Sequence, residues 1–220
     1  MRSIILDLET VPHPDAQKWA QPVKADSRLV DPVKIAADLK KKAAEQEDDF
    51  GLDWDLNRIA AIGFHVVGET DPEVYLCSDE FEEREHLKML WSFYTYGRTR
   101  FITFNGHRFD LPGLIMRSLY LDVKHPELEI PAPWKTDSHV DLYQKFSVNG
   151  ARDRKDVKGL KFYANRLGIP VYDDITGAEV AACVKAGEWE KVKNHCLFDL
   201  DLTRALAERL DVLPRMTVAA

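Results

Sequence analysis

The chain opens with MRSIILDLET, and this stretch limits the possible folds more than any other. Ile4, Ile5, Leu6 and Leu8 form a short apolar run of the kind that becomes a buried strand. A strand alternates its side chains between two faces, so Ile4, Leu6 and Leu8 share one face while Ile5, Asp7 and Glu9 share the other. Two carboxylates therefore leave a central strand on the same side. An unpartnered buried carboxylate is costly, so a metal ion or a hydrogen-bond network at a sheet edge has to compensate.

The 220 residues include 45% hydrophobic and 30% charged side chains. That is the composition of an ordinary globular protein long enough to bury a core of its own. The expectation is a single domain over residues 1–220, with an inserted helical segment at about 11–56. No apolar run approaches the ~18 residues of a membrane span, and the N-terminus reaches Asp7 too soon for a signal peptide. A cytoplasmic protein with no membrane partner is expected. Cys77, Cys183 and Cys196 lack the CxxC spacing of a disulfide framework or a structural zinc site. A net charge of −7 argues against a purely electrostatic nucleic-acid binder. It leaves room for an enzyme that holds nucleic acid through metal ions.

After the first strand, Asp31-Pro32 starts a helix, with Asp as N-cap and Pro at the first helical position. Ile35, Leu39 and Ala43 give that helix a narrow apolar stripe. The acidic run DDFGLDWDLN lacks the carboxylate spacing of a calcium loop. Residues 57–67 and 72–77 read as two strands joined around Gly68. A helix over about 80–96 follows, with Asp79 and Glu82 as a capping box and Leu87, Leu90, Trp91 and Tyr94 as its core stripe. Residues 100–104 form a further strand, and a helix runs from about 109 to 120. The segment 122–134 is a proline-rich loop. Helical pieces are expected near 139–146, 157–167 and 177–186, and a long helix over about 188–210. Strands followed by mixed strand and helices indicate an α/β layer with a mixed sheet.

Three stretches can carry chemistry. The first is Asp7-x-Glu9 on the opening strand; DxE pairs elsewhere in the chain fit solvated surface. The second is FITFNGHRFDLPGL, where Asp110 suits either an N-cap or a ligand. The third is NHCLFDLDLTRALAERL, where His195, Asp199, Leu202 and Leu206 line one helical face. Asp199 interrupts a core stripe there, while Asp201 points away. His195 and Asp199 by themselves fit a local pair as well as a site.

Together and in this order the three stretches resemble the DEDD-type 3′–5′ exonucleases of the ribonuclease H-like superfamily. The similarity is greatest to the phage and bacterial subgroup akin to the proofreading exonuclease domain of family B DNA polymerases. DLNRIAAIGF, DSHVDLYQKF and GLKFYANRLGIP fit that subgroup too, and only residues 11–50 and 122–134 fall outside the resemblance. It implies a ribonuclease H-like fold, with a five-stranded mixed sheet flanked by helices. It also implies a site in which Asp7, Glu9, Asp110 and Asp199 hold two divalent ions, Mg²⁺ or Mn²⁺. Thr10, Asn105 and Phe109 would line the path of the 3′-terminal nucleotides. The implied reaction is metal-dependent release of nucleoside 5′-monophosphates from single-stranded or frayed DNA. An exoribonuclease with the same site, or a non-catalytic nucleic-acid-binding scaffold, are the alternatives.

The chain departs from the family pattern at His195, the expected general base. It stands four residues before the last aspartate, a spacing the family gives to tyrosine, whereas its histidines stand five before. One residue on a helix is a rotation of about 100°, so the spacing leaves open whether His195 reaches the attacking water. Phe104 and Phe109 suit either core packing or base stacking. The run RDRKDVKGLK, with Arg152, Arg154, Lys155, Lys158 and Lys161, suits either phosphate contact or a solvated helix start.

Overall fold

The first strand, β1 (Arg2–Pro12), lies at the centre of a five-stranded sheet in the computed structural model, which describes residues 1–95, 97–126 and 138–214. Helices α1 (Ala16–Trp19) and α2 (Pro32–Asp49) and a 3-10 turn (Phe50–Leu52) separate β1 from β2 (Asn57–Val66) and β3 (Glu73–Leu76). Next come α3 (Glu80–Phe93), β4 (Thr99–Thr103), α4 (Asp110–Tyr120), β5 (His139–Asp141) and α5 (Leu142–Phe146). A 3-10 turn (Arg154–Asp156), α6 (Leu160–Arg166), a 3-10 turn (Gly177–Glu179), α7 (Val180–Ala186) and α8 (Trp189–Arg209) complete the described chain. The strand order is β3-β2-β1-β4-β5. β1 pairs antiparallel with β2 and parallel with β4, so the sheet is mixed.

The alternation in β1 builds two separate cores. Ile4, Leu6 and Leu8 pack with Ile62 and Phe64 of β2 under α3 and α4. Leu87, Leu90, Trp91 and Tyr94 are buried there, as the expected stripe requires. Ile5 points the other way and packs with Ile102, Val140 and the inner faces of α6 and α8. The β1–β2 register slips between Glu9 and Thr10: Glu9 pairs with Ala61 and Thr10 with Ile59. The slip leaves Ala60 of β2 unpaired. A bulge bends one strand locally, and here Ala60 and Ala61 both join Val11 and Val180 in a third apolar cluster.

Local signals account for most of these boundaries. The Asp31 side chain accepts the Val33 N–H, with Pro32 at the start of α2. Asp79 accepts the Glu82 N–H at 2.9 Å, but the Glu82 carboxylate turns to Ser78 N and Oγ, so the expected box closes one residue upstream. α2 has no buried residue, and its stripe Ile35, Leu39 and Ala43 is only half-buried. The helix is held instead by Lys42 Nζ donating to Lys24 O and Gln46 Nε2 donating to Gln21 O, both at 3.0 Å.

The helical expectation for 139–146 is corrected: His139–Asp141 forms the edge strand β5, parallel to β4, and only Leu142–Phe146 coils. Three residues are too few for a period to show, and pairing with β4 decides their conformation. Of the loop expected at 122–134, residues 127–134 lie outside the described residues. Among the described residues no helix is long and apolar enough to cross a membrane.

Candidate active site

β4 accompanies β1 only from Arg2 to Ile5, so β1 runs on beyond its parallel neighbour. After β4 the chain turns at Asn105, which has a positive φ of 70°, and enters α4 with Asp110 as its first residue. The backbone of Leu8, on the stretch of β1 that β4 has left, favours the charged form of the Asp110 carboxylate. On the other edge β2 continues, and Asp7 and Glu9 lie opposite Gly63 and Ala61. A Cβ on Gly63 would sit 2.5 Å from Cys196 Sγ and 3.0 Å from Leu200 Cδ1. Glycine at this position is what lets α8 lie close to the strand. α8 then brings His195 and Asp199 against Asp7 and Glu9, and these four line one cleft together with Lys161.

The electrostatics of the cluster are one-sided. Burial pushes Asp7 up to about 7, and the charge of Asp110 adds to the effect. Asp110 itself is raised to about 7 by burial, against the opposing effect of its backbone hydrogen bonds. Asp199 also rises to about 7, from burial and then from Asp7. Glu9 is held well above the ordinary carboxylate range by burial, Asp7 and Asp199. Crowded carboxylates in low dielectric each disfavour the other's charge. Burial and the nearby carboxylates likewise keep Cys196 a neutral thiol.

Sequence reasoning missed Asp173. It lies in the loop before α7, yet its carboxylate meets His195 Nδ1 and Lys161 Nζ, each at 2.6 Å. Burial would raise it, but Lys161 and His195 together hold it below the usual range. The other ring nitrogen of His195, Nε2, lies 3.3 Å from Glu9 Oε1. The histidine thus lies between two carboxylates, hydrogen-bonded to Asp173 through Nδ1 and with Nε2 turned to the cleft beside Glu9. Asp141 was missed as well: its carboxylate accepts the backbone N–H groups of Asn105 (2.7 Å), His107 (3.2 Å) and Tyr143 (2.9 Å). It therefore pins the turn that leads into Asp110. Asp173 stands in a run without helical period, whereas Asp141 falls inside the helical piece expected near 139–146 and caps its helical part.

Thr10 and Phe109 line the cleft beside Glu9, with Gly51, Leu52 and Gly177. The Thr10 hydroxyl donates to Gly51 O, which ties the 3-10 turn to β1. Phe109 rests on Trp54 with ring centroids 4.6 Å apart. Trp54 in turn fills the space over Gly113, where a Cβ would come within 2.1 Å of the indole. Asn105 lines a neighbouring cleft, and its Oδ1 is buried without a partner among the described residues. Phe104 packs edge-on against Tyr143 on the α6–α8 side, which favours its core reading.

The donors suit a hard cation. Two groups, Asp7 with Glu9 and Cys196, and Asp173 with His195 and Asp199, bring one ligand atom from each residue within 4.8 Å of the others. Asp199 Oδ1 is buried with no hydrogen-bond partner among the described residues. Carboxylate oxygens favour magnesium or manganese over zinc, and the protonated Cys196 adds nothing to change that.

Residues 49–210 match the model of a family described as a predicted 3′–5′ exonuclease related to the exonuclease domain of PolB. No curated protein matches the chain. Among solved structures it is similar to the family B DNA polymerase from the hyperthermophilic archaeon Pyrobaculum calidifontis, at 17% identity and a TM-score of 0.60. That match covers 96% of this chain and 24% of the polymerase. A product-bound exonuclease I matches at 17% identity and a TM-score of 0.43, over 96% of this chain and 48% of the other. The chain therefore spans about a quarter of the polymerase and about half of exonuclease I. The likeness to the polymerase carries the fold, with its five-stranded mixed sheet between helices.

Proposed function

The chain belongs to the family of predicted 3′–5′ exonucleases related to the exonuclease domain of PolB, and from that premise we propose that it hydrolyses single-stranded or frayed DNA from the 3′ end with divalent cations. The single observation that carries this reading is the convergence of Asp7, Glu9, Asp110 and Asp199, all raised by burial, with the charge of Asp110 adding to the shift of Asp7 and Glu9 and that of Asp7 to the shift of Asp199. A cluster so poorly neutralised by its own protein calls for added positive charge. The four acids would hold two Mg²⁺ or Mn²⁺ ions, which when bound make a water nucleophilic near neutral pH and stabilise charge on the reacting phosphate oxygens.

The protein's own residues supply the rest. Asp141 braces the turn that precedes Asp110. Lys161 places a cation over the cleft and is anchored by Asp173. His195 orients Glu9 through Nε2. With Nε2 3.3 Å from Glu9 Oε1, its first role in this reading is to position Glu9. Thr10, Asn105 and Phe109 line the clefts that would receive the 3′-terminal nucleotides, and the nucleoside 5′-monophosphate is the expected product.

The test is cleavage of 5′-labelled single-stranded DNA and RNA in Mg²⁺, Mn²⁺ and EDTA, with Asp7→Ala beside the wild type. A ladder shortening from the 3′ end, dependent on metal and on Asp7, is the expected result. Faster loss of the RNA would move the substrate to ribonucleic acid. No cleavage with either metal would overturn the enzymatic reading.

A further inference from the structure

A second cleft adjoins the site, lined by Leu52, Asn105, Arg108, Phe109 and Arg154. Leu52 and Phe109 also line the cleft beside Glu9 and Thr10, so the two clefts meet across these side chains. Arg108 and Arg154 are both exposed, and among the described residues neither guanidinium has an ion-pair or hydrogen-bond partner. In a chain of net charge −7, two free arginines lining one cleft beside an acidic cluster are a local reversal of sign.

Arg152, Lys155 and Lys161 of the basic run are engaged elsewhere. Arg152 donates to Phe146 O at 2.9 Å and to Asp156 O at 2.7 Å, which holds the turn around Arg154 in place. Lys155 faces Asp153 at 3.6 Å, and Lys161 is bound to Asp173. Tyr143 Oη donates to Arg154 O at 3.2 Å, so the backbone that carries Arg154 is anchored to α5. Arg108 sits on the turn that Asp141 pins through Asn105 and His107. Both arginines therefore project from braced backbone, and the same stretch, Asp141 to Tyr143, braces the two sides.

We infer that Arg108 and Arg154 bind the phosphodiesters upstream of the scissile bond and thereby select a polynucleotide strand over a lone nucleotide. The inference rests on the nuclease reading above. A 3′ end carries one scissile phosphate, which belongs at the acids, and the terminal nucleoside beyond it has no phosphate of its own. A pair of cations set off from the acids is useful only to the strand that continues in the 5′ direction. Arginine is suited to this role because its planar fork meets phosphate oxygens in pairs. Contacts of this kind position the backbone and carry no base preference.

The experiment compares the wild type with Arg108→Gln, Arg154→Gln and the double variant, using Lys158→Gln as an exposed basic control outside the cleft. Two kinds of substrate are used in Mg²⁺ or Mn²⁺: oligothymidylate or oligouridylate, and the p-nitrophenyl ester of thymidine 5′-monophosphate, which has no upstream phosphate. Each arginine variant should raise KM for the oligonucleotide roughly fivefold to tenfold and leave kcat nearly unchanged. Each should also flatten the dependence of log kcat/KM on log salt by about 0.7 per phosphate lost. Hydrolysis of the ester should be unaffected, and Lys158→Gln should match the wild type on both. Equal losses on oligonucleotide and ester would overturn the inference, because the arginines would then act on the acids or on folding. An unchanged KM and salt slope in the double variant would overturn it too. Fluorescence anisotropy of labelled oligonucleotide in EDTA gives a readout independent of catalysis. Arginine- and salt-dependent binding without cleavage would sink the nuclease reading and keep this one, whereas equal binding by wild type and double variant would sink this one.

Discussion

The sheet buries acid on both of its faces and treats it in opposite ways. On the α3–α4 side, Glu83 is fully buried and is met by Arg117 through Nε–Oε1 (2.6 Å) and Nη2–Oε2 (2.9 Å), with the Ile59 N–H on Oε1 at 3.2 Å. On the α8 side, Asp7, Glu9 and Asp199 line one cleft and Asp110 adds its charge to Asp7 and Glu9, with His195 against Glu9 and with Lys161 held by Asp173. The first centre is complete within the chain. The second is not, and burial of that kind is tolerated where something from outside completes it. The same residue type at similar depth is thus structural on one face and a candidate for chemistry on the other, and the difference lies in the partner.

The contrast can be broken most directly at Asp7. Asp7→Asn should cut nuclease activity at least about 10³-fold, some 4 kcal/mol of barrier, and should raise the metal-free melting temperature by relieving repulsion. A fall in that melting temperature would show that the acids are balanced after all. On the opposite face, Arg117→Met should cost about 3–5 kcal/mol in urea unfolding, because it strands Glu83. Adding Glu83→Gln to it should recover much of the loss. Both effects should be absent from the activity of whatever protein remains folded.

Next in size is the response to pH. Asp7, Asp110 and Asp199 have folded pKa values raised to about 7, so the folded state holds more protons than the unfolded chain above the ordinary carboxylate range. Stability without metal should therefore fall as pH rises from about 4 through 7, with a melting temperature lower by the order of 5 °C at pH 8 than at pH 5. Magnesium should reverse that slope, since it binds the ionised form. A melting curve that rises with pH in EDTA would contradict the assignment. Asp173→Asn should lower kcat roughly tenfold with little change in KM, because it acts on Glu9 through His195. The smallest effect is expected at Asp31→Ala. Losing that cap weakens α2 by about 1 kcal/mol, but a helix with no buried residue should open alone, seen as faster amide exchange without a shift in global unfolding.

Much of the fold was legible because its signals are periodic. β1 announces two faces where Asp7 and Glu9 interrupt its apolar run at every second position, and the Leu202–Leu206 stripe of α8 shows which way Asp199 points. The capping residues Asp31 and Asp79 mark starts through purely local bonds. β5 was not legible: its three residues are a strand only because β4 offers them an edge. Asp173 and the bracing role of Asp141 were hidden for a similar reason, since the partners that matter lie 22 residues away at His195 and 36 residues away at Asn105. His195 was visible as a residue, but its spacing could not reveal a clamp made by a loop before α7. The expected α2 stripe shows the opposite limit, where a correct helical period met too little surface to be fully buried.

The slip between β1 and β2 bears on which genetic accidents this protein can survive. Because the unmatched residue, Ala60, lies in β2, the opening strand keeps an unbroken count of odd and even from Ile4 to Val11. Substitutions along it can be judged one at a time. Loss or gain of a single codon before Asp7 is different, because it would move Asp7 and Glu9 to the α3–α4 face and turn Leu6 and Leu8 toward α8. The same accident at Ala60 would only straighten a bend. Between these two neighbouring strands, tolerance of a one-codon frame-preserving deletion should therefore be sharply unequal.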